Sequence, residues 1–391
     1  MRIGIFGGSF DPVHSEHLRL AKAAIESLAL DKLYVLPAHT PPHKQGKRLS
    51  SNAARLELCR LAFAGVEKAE VSDYEIEQGG TSYTYLTCRH FKEIHKDAEL
   101  FFLVGTDMLR DFPTWRNPDD ILENATLAVC ARDEKEGWFE RESEIFEKRF
   151  GKKFALIHYN GAPVSSTYIR VLAAAKLPLT PYVDERVESY IYEKGLYEIP
   201  RANEALALQK PSRAAHSIRV AITAAKRATS LGIAEEKAAC AALFHDCAKN
   251  LSLDSPLLDG FAIPKAWGEV PEPVLHQFTG AYVAEHAFGI TDEEVLDAIR
   301  FHTSGKEDMT ELGALIFLAD MVEEERRYDG VEVLRALYWK ETPKVESRRY
   351  LYECLREALK RTVEYLEEKG GAVYPLTKRA YAFLNKSEGE R

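Results

Sequence analysis

The chain changes rhythm near residue 200, and that change restricts it to two different folds in series. Before it, the short apolar runs RIGIF, KLYVL, ELFFLVG, TLAVCA and FALIH alternate with amphipathic stretches such as LRLAKAAIESLA and NAARLELCRLAFAG. Runs dense in Val, Ile, Leu and Phe fit strands covered on both faces. Strand–helix alternation predicts an α/β fold, a doubly wound parallel sheet with helices on both faces. Ligands of such sheets bind beyond the carboxyl ends of the strands. After residue 200, apolar residues recur at helical spacing in HSIRVAITAAKRAT, AEEKAACAALFHDCAKN, DEEVLDAIRFH, ELGALIFLADMVEEE and SRRYLYECLREALKRTVEYLEEK. That pattern predicts an all-α bundle. Between the halves, LYEIPRANEALALQKPSR has two prolines, mixed polarity and no strand signal. We read 1–198 as one domain, 199–212 as a linker and 213–391 as a second domain, with the closing NKSEGER as a frayed tail.

At 391 residues the chain exceeds one ordinary core. With 46% apolar and 29% charged residues it reads as a soluble globular protein, and no apolar run is long enough for a bilayer. The opening MRIGIFGGSF lacks the pattern of a secretory signal. Six cysteines without any CxxC pair argue against a zinc knuckle or a disulfide framework and fit a reducing cytoplasm. A net charge of −9 gives no footprint for nucleic acid, so an anionic substrate must be met by local basic residues. We expect a cytoplasmic protein without a nucleic-acid or membrane partner; a homodimer is compatible with the sequence.

GGSFDPVHSEH, Gly7 to His17, follows the first predicted strand. Glycines there let backbone amides approach phosphate oxygens, and the helix that follows offers a favourable N-terminal dipole. His14 and His17 fall at the start of that helix on one face, where two imidazoles can donate to nucleotide phosphates. An ordinary helix start would carry such a pair too, so later strings matter. PPHK places Lys44 on a rigid turn, and VSSTYIR sets hydroxyls and an arginine at another helix start.

In this order, GGSFDPVHSEH, PPHK, TSYTYLT, GTDML followed by Trp115, and SSTYIR resemble the nicotinate-nucleotide adenylyltransferases, within the wider HxGH nucleotidyltransferases. The likeness runs to about residue 198, through VESYIYEKGLYE. It implies a Rossmann-like domain that transfers AMP from ATP to nicotinate mononucleotide, giving deamido-NAD and pyrophosphate. Such chemistry needs positioning and charge neutralisation. By the resemblance, His17 stabilises the α-phosphate and His14 helps hold the phosphates. Gly7, Gly8, Ser9 and Phe10 form the nucleotide loop. Lys44 and Arg170 neutralise the triphosphate, and Ser165, Ser166 and Thr167 donate to it. Thr84 and Trp115 lie on the nicotinate side, and Asp107 near the ribose. Mg²⁺ arrives with ATP, without a dedicated protein cage. Glu16 departs from the family's glycine. Its bulk and charge beside a polyphosphate would cost about 1–3 kcal/mol, unless the carboxylate points outward as a helix N-terminal charge.

In the helical half, His216, the pair His245–Asp246, His276, His302 and Asp320 sit on or at the ends of predicted helices. A lone helical histidine is usually structural, but imidazoles and carboxylates together are the ligand set of Mn, Fe or Zn in a bundle. The order His, His-Asp, His, His, Asp resembles the HD-domain phosphohydrolases. HSIRV, LFHDCAK, LHQFTGAYVAEHAFGI, AIRFHTSG and LADMVEEER narrow the likeness to the HD hydrolases that split diadenosine tetraphosphate symmetrically into two ADP. It covers about 205–387, and Glu324 stands where that family tends to have proline. By this resemblance His216, His245, Asp246 and Asp320 hold one metal. His276 and His302 hold a second, with Asp246 bridging. The ions, iron with manganese as an alternative, would lie about 3.5–4 Å apart. Lys249 and Arg326 neutralise substrate phosphate, and Thr303 and Gly305 shape its pocket.

The combined expectation is a bifunctional enzyme in which a tethered hydrolase clears dinucleoside polyphosphates. Two alternatives stay open on the sequence. The same folds could serve other substrates: another mononucleotide or pantetheine phosphate in the first half, a mononucleotide or guanosine polyphosphate in the second. Or one half could be a nucleotide-sensing module for the other.

Overall fold

A computed structural model of the protein describes residues 1–42, 49–131, 137–159, 161–340 and 344–386. The chain divides into two units, Met1–Ile169 with Pro178–Leu196, and Arg170–Leu177 with Tyr197–Arg391. Among the described residues, no helix is long and apolar enough to cross a membrane.

The apolar runs of the first unit form β1 (Arg2–Gly8), β2 (Lys32–Pro37), β4 (Glu99–Gly105), β5 (Thr126–Ala131) and β6 (Ala155–His158), as their composition predicts. The sequence reading missed β3 (Ala69–Val71), because three residues around an exposed glutamate carry no period. All pairings are parallel, in the order β3-β2-β1-β4-β5-β6. Ile3 and Ile5 of β1, Phe102 and Val104 of β4, and Leu127 and Val129 of β5 share one buried core. Strand order reverses between β1 and β4, which opens a crevice beyond their carboxyl ends. Those ends are followed by the helix Ser15–Ser27 and the helix Thr106–Asp111.

The second unit is helical, as expected. Its helix Glu311–Val322 is buried continuously from Leu312 to Ala319 and so needs neighbours on all sides. It packs against Pro211–Leu231, Glu293–Arg300, Val331–Tyr338 and Lys344–Glu368. The stretch 199–212 is not open chain throughout: Ala202–Ala207 is helical, with Ala202, Ala205 and Leu206 buried. Its apolar spacing is too short to stand out between two prolines. Pro211 opens the next helix at a position that has no use for an N–H. At the far end, the helix Pro375–Lys386 takes in Asn385 and Lys386 of the expected tail, and 387–391 lie outside the described residues.

Candidate functional sites

In the first unit, Gly7 and Gly8 are the last residues of β1, paired with Leu36 and Pro37, so the expected nucleotide loop begins only after them. The need for glycine at 8 comes from Phe10: a Cβ at Gly8 would meet its ring at 3.0 Å. Phe10 is buried with φ of 45°, and its ring packs edge-on against Phe6 and His17. His14 is the N-cap of the helix Ser15–Ser27, and His17 is its third residue. The His14 N–H donates to His17 Nδ1 at 3.1 Å, and the two rings lie 3.8 Å apart. Because Nδ1 accepts, the neutral His17 is assigned its proton on Nε2, a donor for an anion.

Glu16 does not point outward to solvent. It is 1% exposed, and its Oε2 accepts the Ala162 N–H at 2.7 Å. Ser166 Oγ donates to the Pro12 carbonyl at 2.9 Å, while Ser165 Oγ accepts from the Tyr168 N–H. Thr167 follows on the same helix, Ser166–Ala174. Ser9 offers its carbonyl to Arg55. Arg170 falls in the second unit, where its guanidinium is ion-paired with Glu235. Lys44 lies outside the described residues. Thr84 begins the helix Thr84–Ile94, and Asp107 is exposed in the first turn of Thr106–Asp111. Trp115 is half-buried against Phe102 and Phe112.

The sequence reading passed over Arg55. It is fully buried on the helix Asn52–Phe63. Its guanidinium donates to the carbonyls of Ser9, Ala38, His39 and Ser50 and to Asn52 Oδ1. It thus fastens the loops after β1 and β2 together. The available signal was a charge among Ala54, Leu58, Cys59 and Ala62, the apolar face of its helix.

In the second unit the six predicted ligands converge. His216, His245 and Asp246 form one group of ligand atoms within 4.8 Å; His245, His302 and Asp320 form another, and Asp246, His276 and His302 a third. His245 Nδ1 lies 2.6 Å from the Ala242 carbonyl and His302 Nδ1 2.7 Å from that of Ile299. A carbonyl can only accept, so both Nδ1 atoms carry hydrogen and both Nε2 atoms offer lone pairs, the arrangement that metal-binding histidines use. His245 Nε2 is buried without a hydrogen bond among the described residues. His276 Nε2 and His302 Nε2 face each other at 3.1 Å, and Asp246 Oδ1 lies 3.2 Å from the first. His216 spans Asp320 Oδ1 at 2.8 Å and Glu323 Oε1 at 3.1 Å.

The electrostatics suit a cation. Burial pushes the Asp246 carboxyl up, but the His245 and His302 imidazoles hold it well below the usual range. For Asp320, burial is likewise overcome by His216 and Arg326. Burial pushes His276 down to about 2, with His302 and Lys249 adding to the effect, and it also lowers His302. His245 goes the other way: burial opposes its charge, but Asp246 raises it. A metal ion competes with such a proton. Ionised carboxylates around buried imidazole lone pairs fit divalent ions.

Three cations surround the cluster. Lys249 Nζ is 2.8 Å from His276 Nε2, Arg213 Nη1 is 3.1 Å from Asp246 Oδ2, and Arg326 pairs with Asp320. Arg213 was not foreseen, since a charge three residues before a histidine has no distinctive pattern. Nor was Gln277, buried, whose Oε1 accepts the Thr303 and Ser304 N–H groups and so shapes the turn after His302. Thr303 Oγ1 lies 3.1 Å from His276 Nε2. Gly305 has φ of +66°, and a Cβ there would meet Leu359, Ala380 and Met309, so the turn and the packing both call for glycine.

Residues 5–172 match the Cytidylyltransferase-like family, and residues 213–325 match the HD domain. A protein of Mycoplasma pneumoniae named probable nicotinate-nucleotide adenylyltransferase/Ap4A hydrolase is 30% identical over 327 residues, covering 83% of this chain and 89% of its own length. One of the same name from Mycoplasma genitalium is 29% identical over 336 residues, 85% of this chain and 91% of its own. A probable nicotinate-nucleotide adenylyltransferase of Clostridium botulinum is 38% identical over 202 residues, 50% of this chain and 98% of its own. With a Cytidylyltransferase-like region followed by an HD domain, the chain belongs to the two-part nicotinate-nucleotide adenylyltransferase/Ap4A hydrolase family.

Proposed function

We propose that the first unit transfers AMP from ATP to nicotinate mononucleotide and that the second splits diadenosine tetraphosphate into two ADP. The convergence of four histidines and two aspartates on one buried point, in a chain that also carries the His14–His17 cap, supports this reading. In the first reaction a phosphate oxygen of the mononucleotide attacks the α-phosphorus of Mg-ATP. The bond to the β-phosphate oxygen breaks and pyrophosphate leaves, so no covalent enzyme intermediate is required. His17 Nε2–H donates to the α-phosphate, held in that tautomer by the His14 amide. His14 assists at the phosphates with the loop Gly7–Phe10. Ser165, Ser166 and Thr167 bind the triphosphate at a helix start, with Lys44 as its counter-charge. Thr84, Asp107 and Trp115 receive the mononucleotide.

In the second unit His216, His245, Asp246 and Asp320 would hold one divalent ion. His276 and His302 would hold another, sharing Asp246. Such a pair supplies Lewis-acid polarisation of the attacked phosphate and an activated water. The donor set suits iron, manganese or zinc. Arg213, Lys249 and Arg326 neutralise the polyphosphate, and Thr303 orients it from the turn that Gln277 braces.

Product analysis with the full chain tests both halves. We expect deamido-NAD from nicotinate mononucleotide and Mg-ATP, and ADP alone from diadenosine tetraphosphate with Mn²⁺ or Fe²⁺. His17→Ala abolishes only the first product and Asp246→Ala only the second. ATP and AMP as the hydrolysis products would exclude symmetrical cleavage.

A further inference from the structure

Glu16 stands at the second position of the helix that begins with the histidine cap. A carboxylate there is usually solvated and favoured by the helix dipole. This one is 1% exposed. Its Oε2 accepts the N–H of Ala162, 146 residues away in sequence, at 2.7 Å. Oε1 is also buried, makes no hydrogen bond among the described residues and lies 3.5 Å from Arg19 Nη1. A charged acceptor makes a stronger hydrogen bond to an amide than a neutral one does.

The bond falls at a particular place. Ala162 lies between Gly161 and Pro163, so its neighbours are a flexible residue and one with no N–H to donate. Two residues after Pro163 come the hydroxyls Ser165, Ser166 and Thr167. A second tie joins the same segments, Ser166 Oγ to the Pro12 carbonyl at 2.9 Å, while the Ser15 N–H goes to the Tyr182 carbonyl at 2.8 Å in a later stretch of the chain. The Ser166 tie starts from the helix, whereas the Glu16 tie reaches the loop before it and depends on a side chain that a glycine at 16 would lack.

We infer that Glu16 is a positioning residue of the adenylyl-transfer site: its buried carboxylate latches the loop before Ser165 to the first turn of the His14–His17 helix, and so sets the hydroxyls for the triphosphate. The carboxylate is turned to the Ala162 amide and the Arg19 guanidinium, which offset its charge beside an anion site. This inference rests on the nucleotide-binding reading of the first unit.

The test is Mg-ATP affinity of the full-length protein by calorimetry, with KM and kcat for both substrates, across native, Glu16→Gln, Glu16→Ala and Glu16→Gly. Glutamine keeps a carbonyl acceptor for Ala162 and should bind ATP within about threefold of native. Alanine and glycine should bind it roughly tenfold or more weakly, with KM for ATP rising and kcat and KM for the mononucleotide changing less. Melting temperatures near native would set this apart from general destabilisation. If glycine binds ATP as well as native or better, the inference is overturned. It is overturned too if glutamine fails as badly as alanine, or if both KM values rise together with a fall in melting temperature. Absence of ATP binding by the native protein would instead remove the nucleotide-binding reading, and this inference with it.

Discussion

Glu323 touches no substrate in our reading, yet it holds His216, one of the residues proposed to bind metal. Its Oε1 meets His216 Nδ1 while Oε2 accepts from Arg219 Nε at 2.7 Å. Burial would raise this carboxyl, but the imidazole and the guanidinium bring it down to about 2. Partners of this kind orient a ligand and raise its basicity, and their loss costs about 10–100-fold in metal affinity. Glu323→Gln should therefore lose metal about that much more readily, read as residual metal after dialysis against a graded chelator. Glu75 in the first unit shows the opposite sign. Burial raises its carboxyl, only partly countered by hydrogen bonds from Thr87 and Ser82. The folded state thus holds this proton more tightly than the unfolded chain, whose value is about 4.3. The stability it contributes is complete below that pH and is lost as pH rises through the folded value. Glu75→Gln should raise the melting temperature at about pH 7, with the gap closing near pH 4, as thermal melts across that range would show.

Elements are joined here by arginines that serve backbone carbonyls. Arg55 carries the loops after β1 and β2. In the second unit, Arg335 of the helix Val331–Tyr338 donates to the carbonyls of Val322, Glu323 and Arg326, closing the end of Glu311–Val322 just beyond Asp320. Both satisfy acceptors that no regular structure reaches. Arg55→Met leaves several buried carbonyls unpaired, each costing about 1–3 kcal/mol. It should destabilise the first unit by roughly 3–5 kcal/mol, measured by denaturant unfolding.

At the scale of the whole molecule, two units with separate cores should answer separate ligands. Whatever binds the folded state raises its stability in proportion to the logarithm of ligand over Kd. Manganese should raise the melting transition of the helical unit, and Mg-ATP that of the sheet unit, in scanning calorimetry. Asp246→Ala should remove the first shift and leave the second. A single transition moved equally by either ligand would contradict this.

What the sequence by itself determined is what is written along contiguous residues. Apolar runs and helical spacing specified five of the six strands, the helical second half and the order of the short motifs, because period and propensity are local properties. The six residues proposed as metal ligands stand out in their own short strings, and the structure brings them together. Only the tertiary structure decided the partners of single polar groups. Glu16 reaching Ala162, Arg55 reaching Ser9 and Ala38, Arg213 reaching Asp246 and Gln277 bracing Thr303 all join residues far apart in the chain. A buried charge or amide must find a partner somewhere, since leaving it unpaired is costly. The sequence states that need, and the packing of distant elements chooses which group meets it.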